Sequence, residues 1–357
     1  KSEKLNVCEV LFNNKINTII CGAQNVRKGL KVIVAQVGTK MLDGRLIESR
    51  DILGIKSNGM ICAYPELTSR INFIDKYDLE NIIELPNSAK VNDKDPTKYI
   101  GFDDDIFELS IPSNRNEFNG VLAIAYELFM IHNNKELPKW NIDLSELKKI
   151  LNKKSRILSD EKDLVNFYGI IELDEIKSYK TSWEIKWVLI NSGIKPTNTI
   201  LDIASLLTIF TGSPITGYDK EKIGDDFTIK LNNKKEKFLS SGKVDYILDQ
   251  KSAICIYSND KIISLASLTN SFESSITIDT KNVIFEIANF NNLLIRKASD
   301  KLNIKTQNAL VSSKKIPLWF TFKSFEIITN FLSQIGFRLK GVCLLYTSPS
   351  PRDRSLS

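Results

Sequence analysis

Short apolar runs broken by turn residues fill roughly the first 95 positions. Val7, Val10, Ile19, Ile20, Leu30, Val32, Val34 and Val37 supply the runs, and Asn13-Asn14, Gly22, Gly29, Gly38, Asp43-Gly44 and Gly54 interrupt them. β-Branched residues between frequent turns predict short strands, and many short strands in sequence predict a small barrel. From residue 103 the pattern changes. Asp103-Asp104-Asp105 leads into Ile106-Phe107-Glu108-Leu109, which reads as a strand, and Ile111-Pro112-Ser113-Asn114-Arg115 reads as a turn. Val121, Leu122, Ile124, Ala125 and Leu128 then recur at helical spacing. Residues 141–165 read as a basic surface helix capped by Asp143 or Ser145. Its apolar side is Leu147, Ile150 and Leu151, and its wet side is Lys148, Lys149, Lys153, Lys154 and Arg156.

Residues 166–320 mix both periodicities. Trp183 to Ile190 is helical, with Asn191-Ser192-Gly193 as its stop. Asp202 to Phe210 is a second helix. Ile254, Ile256, Ile262, Ile263, Leu265, Ile276 and Ile278 predict strands. Phe325, Ile328, Phe331, Leu332 and Ile335 predict a last amphipathic helix ending at Gly336. The tail from Leu344 to Ser355 is rich in Ser, Pro and Arg and resembles translated adapter or vector read-through. Residues from about 343 onward are therefore set apart from the expected fold.

Composition narrows the function. A chain of 357 residues suits two or three domains. The formal charge is +6, and the first fifty residues hold nine Lys/Arg against four Asp/Glu. The basic excess thus belongs to the strand-rich segment. There is one histidine, His132, which reads as a surface residue at a helix end, and five scattered cysteines without a CxxC pair. That pattern lowers the prospect of zinc enzymes, Ser-His-Asp hydrolases and thioredoxin-type chemistry. Scattered reduced thiols and the lack of a membrane-length apolar run suggest a cytoplasmic protein with no membrane partner. Abundant Lys, Asn and Ile suggest an AT-rich genome, and Lys1 in place of Met suggests a missing start.

Neither a GxxxxGK[ST] phosphate loop nor a GxGxxG turn is present. Asp103, Asp104, Asp105 and Glu108 could hold a divalent cation or simply be solvated. Glu286 stands inside the apolar run Val283-Ile284-Phe285-Glu286-Ile287-Ala288. A carboxylate there is costly unless paired, so it is either functional or on an outer face.

Four ordered segments carry a resemblance. Cys21-Gly22-Ala23-Gln24-Asn25-Val26-Arg27-Lys28-Gly29, followed by Ser57-Asn58-Gly59-Met60 and Glu66-Leu67, is similar to the tRNA-binding OB-fold domain, whose segment reads CGAPNVRxG. Here Gln24 replaces the proline. Pro112-Ser113-Asn114-Arg115, Gly193 to Ile203 with Gly212 to Asp219, and Val283 to Phe290 with Ile295-Arg296-Lys297 resemble segments of the bacterial phenylalanyl-tRNA synthetase β-subunit family. The matches span roughly residues 4–308.

The resemblance implies an α+β multidomain fold: an N-terminal OB-fold β-barrel, then a mixed α/β domain of the B3/B4 editing type. The implied boundaries are 1–95 for the tRNA-binding domain and 96–165 for a connecting α/β domain with the basic helix. Residues 166–320 form the editing-like domain, 321–342 begin a further region, and 343–357 are extraneous. Asn25, Arg27, Lys28, Lys31, Ser57, Asn58 and Met60 are the implied tRNA-binding positions. In the family an α subunit binds ATP and phenylalanine, two αβ pairs assemble, and tRNA(Phe) is the substrate. ATP and Mg²⁺ are expected for that complete enzyme and neither for this chain, which alone carries no catalytic residue.

The editing site implied by the resemblance is degraded. Family motifs have a TN pair where Ala204-Ser205 stands, a histidine where Thr216 stands, and glycines where Leu265 to Ser271 stand. Thr306 is kept, but the following pocket alanine is Asn308. Glu286 and Thr306 remain. Hydrolysis of tyrosine mischarged on tRNA(Phe) is therefore expected to be lost, as in synthetases of mycoplasma-like bacteria. The competing readings are a non-enzymatic tRNA-binding module and an active trans-editing hydrolase.

Overall fold

A computed structural model describes residues 5–112, 114–133, 156–159, 161, 163–176 and 181–346. The chain divides into two compact units. One comprises residues 1–108 and 181–197, and the other 109–180 and 198–357.

In the first unit, β1 (Asn6–Phe12) and β2 (Lys15–Cys21) form a hairpin turned by Asn13 and Asn14, both at positive φ. Asparagine tolerates that left-handed geometry, which a two-residue hairpin loop needs. Strands β3 (Val34–Ala35), β4 (Arg50–Ile52), β5 (Ile55–Ser57) and β6 (Met60–Ile61) pair as β3 with β6 and β4 with β5. The expected barrel is thus only partly realised. Among the described residues the ladders remain separate two-stranded sheets that do not join into one closed ring. The short helix α1 (Lys76–Glu80) is capped by Asp75. The predicted helix Trp183–Asn191 belongs to this unit and ends with Gly193 at φ +75°, where the Ile194 N–H closes onto the Leu189 carbonyl. Its Lys186 ammonium is buried between Asp75 and Asp78 at 2.7 and 2.5 Å.

The second unit is a pair of packed sheets with helices. Helix α2 (Val121–Asn133) lies as the spacing predicts, with His132 exposed in its last turn. Its strands are β7 (Arg156–Ser159), β8 (Val165–Asp174), β9 (Ile215–Asp219), β10 (Asp226–Leu231), β11 (Glu236–Leu239) and β12 (Asp245–Leu248). They continue with β13 (Ile254–Ser258), β14 (Lys261–Leu265), β15 (Thr269–Asn270), β16 (Val283–Phe290) and β17 (Arg338–Tyr346). One sheet has the order β17-β8-β16-β9, the other β15-β14-β13-β10-β7, and β11-β12 is a separate hairpin. Helices α3 (Thr199–Thr211), α4 (Asn292–Leu302), α5 (Gln307–Ser312) and α6 (Leu318–Gln334) complete the unit.

Alternation along the strands builds two cores. Tyr168, Ile170, Ile284 and Ala288 face Phe227, Ile229, Ile254, Ile256 and Leu265 of the other sheet. Phe167, Ile171, Phe285 and Ile287 face the opposite way, toward Ile200, Ile203 and Leu207 of α3 and Phe325, Ile328 and Leu332 of α6. All eight residues of β16 are therefore buried, which explains its unbroken apolar run. Gly120 makes a second requirement legible. A Cβ there would stand 2.3 Å from the Gly212 nitrogen and 2.4 Å from the Thr211 carbonyl carbon.

Several expectations are corrected. Residues Ile106 to Leu109 form no strand, and Phe107 is 82% exposed. Ile276 and Ile278 lie outside any strand. Ile276 is buried from a loop, whereas Ile278 is exposed. The predicted basic helix falls largely outside the described residues, but its residues 156–159 are strand β7, parallel to β10. Positions 343–346, set apart above as extraneous, continue β17, with Cys343 opposite Ile170 and Leu345 opposite Tyr168. Residues 347–357 lie outside the described residues.

Candidate functional site

The basic turn of the first unit is held by its own polar side chains. Asn25 acts as a clamp: its Oδ1 accepts the Ile82 N–H at 3.1 Å, and its Nδ2 donates to the Ile82 carbonyl at 2.9 Å and to Glu84 at 3.0 Å. Arg27 makes a two-pronged pair with Glu84 at 2.8 and 2.7 Å, so its charge is largely spent locally. Lys31 donates to the carbonyls of Asn87 and Ala89, each at 2.6 Å. Ser57 is buried and accepts the Ile20 N–H at 3.1 Å, and Asn58 accepts from the Ser49 hydroxyl at 2.8 Å. Met60 packs against the Ile33–Cys62 core. Of the seven predicted positions, Lys28 alone presents an exposed cation with no ion pair among the described residues. It lies on a groove of about 1120 Å³, together with Arg27, Lys31, Lys90 and Lys94.

The second unit centres on Glu286. Its Oε2 accepts the hydroxyls of Tyr168 and Tyr218, each at 2.7 Å, and Thr216, its partner in the β9–β16 register, adds a third hydrogen bond. The carboxylate is 2% exposed and both tyrosines are fully buried. Burial pushes the Glu286 carboxyl up to about 7, against the lowering effect of the three hydroxyl donors. Burial beside that carboxylate pushes both tyrosines well above the usual phenol range.

The surrounding loops are tied by side chains. Asn270 Nδ2 donates to the Gly217 carbonyl at 2.7 Å and Asn308 Nδ2 to the Ile215 carbonyl at 3.1 Å. Thr306 caps α5 by accepting the Ala309 N–H, and donates to the Leu268 carbonyl at 3.0 Å. Ser267, inside the segment where family motifs carry glycines, holds a left-handed φ of 54°. Ser205 is half-buried on α3, which packs against the sheet face opposite Glu286, so the structure does not bring it to this carboxylate. Thr216 bonds to Glu286 and Asn308 bonds to Ile215 of β9, whereas Thr306 bonds to Leu268. Sequence reasoning missed Tyr168 and Tyr218. The available signal was the need of a buried carboxylate for donors on neighbouring strands.

Among the described residues no group of three or more His, Cys, Asp and Glu side chains could hold a metal ion. Nor, among them, is any helix long and apolar enough to cross a membrane.

A family model described as "B3/4 domain" matches residues 147–336, more than half of the sequence. The chain belongs to the B3/4 domain family. A second model, "Putative tRNA binding domain", matches residues 1–94 of this B3/4-domain chain. The phenylalanine–tRNA ligase beta subunit of Malacoplasma penetrans is 52% identical over 96% of this chain and 43% of its own length. Those of Ureaplasma parvum and Mycoplasmoides gallisepticum are 33% and 31% identical over 92% and 93% of this chain, each over 42% of its own length. The motif-based resemblance to the phenylalanyl-tRNA synthetase β-subunit family therefore stands. The B3/4-domain chain spans well under half the length of the curated relatives it matches.

Proposed function

We propose that this chain is the tRNA-contacting and scaffolding portion of a phenylalanine–tRNA ligase β subunit. An α subunit would bind ATP, Mg²⁺ and phenylalanine and form the aminoacyl ester, in an (αβ)₂ assembly in the cytoplasm. The chain itself would be non-catalytic. Exposed Lys28, with Arg27 and Lys31 beside it, would meet tRNA phosphates, a grip that weakens with salt.

In this reading hydrolytic editing of Tyr-tRNA(Phe) is lost. The observation that carries it is the closure of Glu286 by two tyrosine hydroxyls, with Thr216 in place of an imidazole. A hydrolytic site needs a group that can orient or activate water. Here the carboxylate is 2% exposed and held by the protein's own hydroxyls. The test pairs the full-length subunit with its α subunit and follows two reactions. Charging of tRNA(Phe) with little deacylation of Tyr-tRNA(Phe) is expected. Brisk deacylation overturns the loss of editing, and absence of charging overturns the subunit assignment.

A further inference from the structure

The helix Trp183–Asn191 is distant in sequence from residues 1–108 yet belongs to the same compact unit. It lies outside residues 1–94, the segment that matches a tRNA-binding domain. Its anchors are specific. Ile190 is fully buried in the core of Ile33, Cys62 and Ile83. Trp183 stacks on Tyr64 with ring centres 3.5 Å apart, and Trp187 stacks on Phe102 at 3.9 Å. Arg70 donates to the Ile190 carbonyl at 3.3 Å. So held, the helix places Lys186, whose side chain is 8% exposed, between Asp75 and Asp78.

Both carboxylates belong to α1, Asp75 as its N-cap and Asp78 in its first turn. A helix of five residues is too short to hold itself in place. The cap and the Lys186 ammonium therefore fix where α1 lies. Asn81 follows α1 directly and joins it to the basic turn. Its Nδ2 donates to the Tyr77 carbonyl of α1 at 2.8 Å, and its Oδ1 accepts the Asn25 N–H at 3.2 Å. The next residue, Ile82, bonds through both main-chain groups to the Asn25 side chain, and Glu84 holds Arg27. Contacts thus run without a gap from Lys186 through α1 and Asn81 to the turn that carries Lys28.

We propose that Lys186 is a positioning residue for tRNA binding: its ammonium fixes α1, and α1 through Asn81 fixes the turn at residues 25–28 in the conformation that meets the RNA. This rests on the reading of that turn as an RNA contact. Removing the ammonium takes away the positive charge that Asp75 and Asp78 both face. Repulsion between the two carboxylates then favours a shift of α1. Asn81 moves with α1, and the Asn25 clamp loses its fixed partner.

A double-mutant cycle on tRNA(Phe) binding by the complete enzyme tests this. Lys28→Ala should weaken binding about fivefold in the unaltered enzyme. In the Lys186→Met background it should cost less than about twofold, because a displaced turn no longer brings Lys28 to the RNA. A purely structural role for Lys186 predicts the full cost in both backgrounds. Hydrogen exchange supplies a second readout. In Lys186→Met the Asn25 and Ile82 amides should exchange at least about tenfold faster, with a much smaller change at the Cys62 amide that bonds the Ile33 carbonyl. Asp75→Asn carries both comparisons should Lys186→Met fail to fold, since asparagine keeps the α1 cap and gives up only the charge. Equal costs of Lys28→Ala in the two backgrounds, or equal changes in exchange at the three amides, overturn the proposal. No cost of Lys28→Ala in the unaltered enzyme instead overturns the RNA reading of the turn, and exchange at Asn25 and Ile82 still decides whether Lys186 holds it.

Discussion

Tyr218 sits diagonally across the β9–β16 ladder from Glu286, two pairs along from Thr216, and its hydroxyl donates to the Glu286 carboxylate at 2.7 Å. With the Tyr168 hydroxyl, also at 2.7 Å, it places two donors on the Glu286 Oε2.

Glu286 should make stability fall as pH rises. Its carboxyl titrates at about 7 in the folded protein and near 4.5 when unfolded. Between those values the folded state holds a proton that the unfolded state has released, so unfolding becomes easier as pH increases. Below 4.5 both forms are protonated and the full stability is present. Above 7 both are ionised and the loss is complete. The total is roughly 3 kcal/mol. Urea denaturation from pH 4.5 to 8 measures it, and Glu286→Gln should flatten the slope in that window. An unchanged slope in that variant assigns it elsewhere.

Tyr218→Phe removes one donor and keeps the ring. At pH 8, where the carboxylate is charged, the loss should be about 1.5–3 kcal/mol, and at pH 5 closer to 1 kcal/mol. With one stabilising hydrogen bond gone, Glu286 should titrate higher still, shifting the pH-dependent decline upward. Denaturation midpoints at the two pH values read both effects.

Lys28 and Lys31 should part company when replaced by alanine. Lys31 ties its strand to the carbonyls of Asn87 and Ala89, so Lys31→Ala should lower the Tm. Lys28→Ala should leave the Tm in place, weaken tRNA binding and reduce the salt slope by about 1. Filter binding across a salt series, beside thermal melts, separates the two roles. Equal salt slopes for wild type and Lys28→Ala would remove Lys28 from the RNA contact.

Gly120→Ala places a methyl group inside backbone at the end of α3. Backbone cannot yield as a side-chain tip can, so the cost should be at the upper end of overpacking, about 3 kcal/mol. Calorimetry of the variant checks this.

Much of the second unit was legible because its signals are periodic. The β16 run, the helices at 121 and 318 and the glycine stop at 336 all follow from local patterning, as do the helix at 183 and its stop at 193 in the first unit. Failures came where local pattern lacked a partner. Ile106 to Leu109 has strand-like residues but no neighbouring strand to bond with. Ile278 alternates correctly yet lies in a turn. Barrel closure in the first unit depends on pairing between distant segments, which no local run encodes. The two tyrosines on Glu286 were invisible for the same reason. Only the registers of β8 and β9 against β16 bring residues 168, 218 and 286 to one point.

Strand β17 carries a lesson about what an open sheet will accept. The outer side of β8 bonds to residues 338–346 through peptide groups, which every sequence possesses, while side chains need only alternate suitably. Recognition at that border is therefore permissive. Many unrelated apolar stretches could dock there and be tolerated, provided they fill both cores as Val342 on one side and Cys343 and Leu345 on the other do.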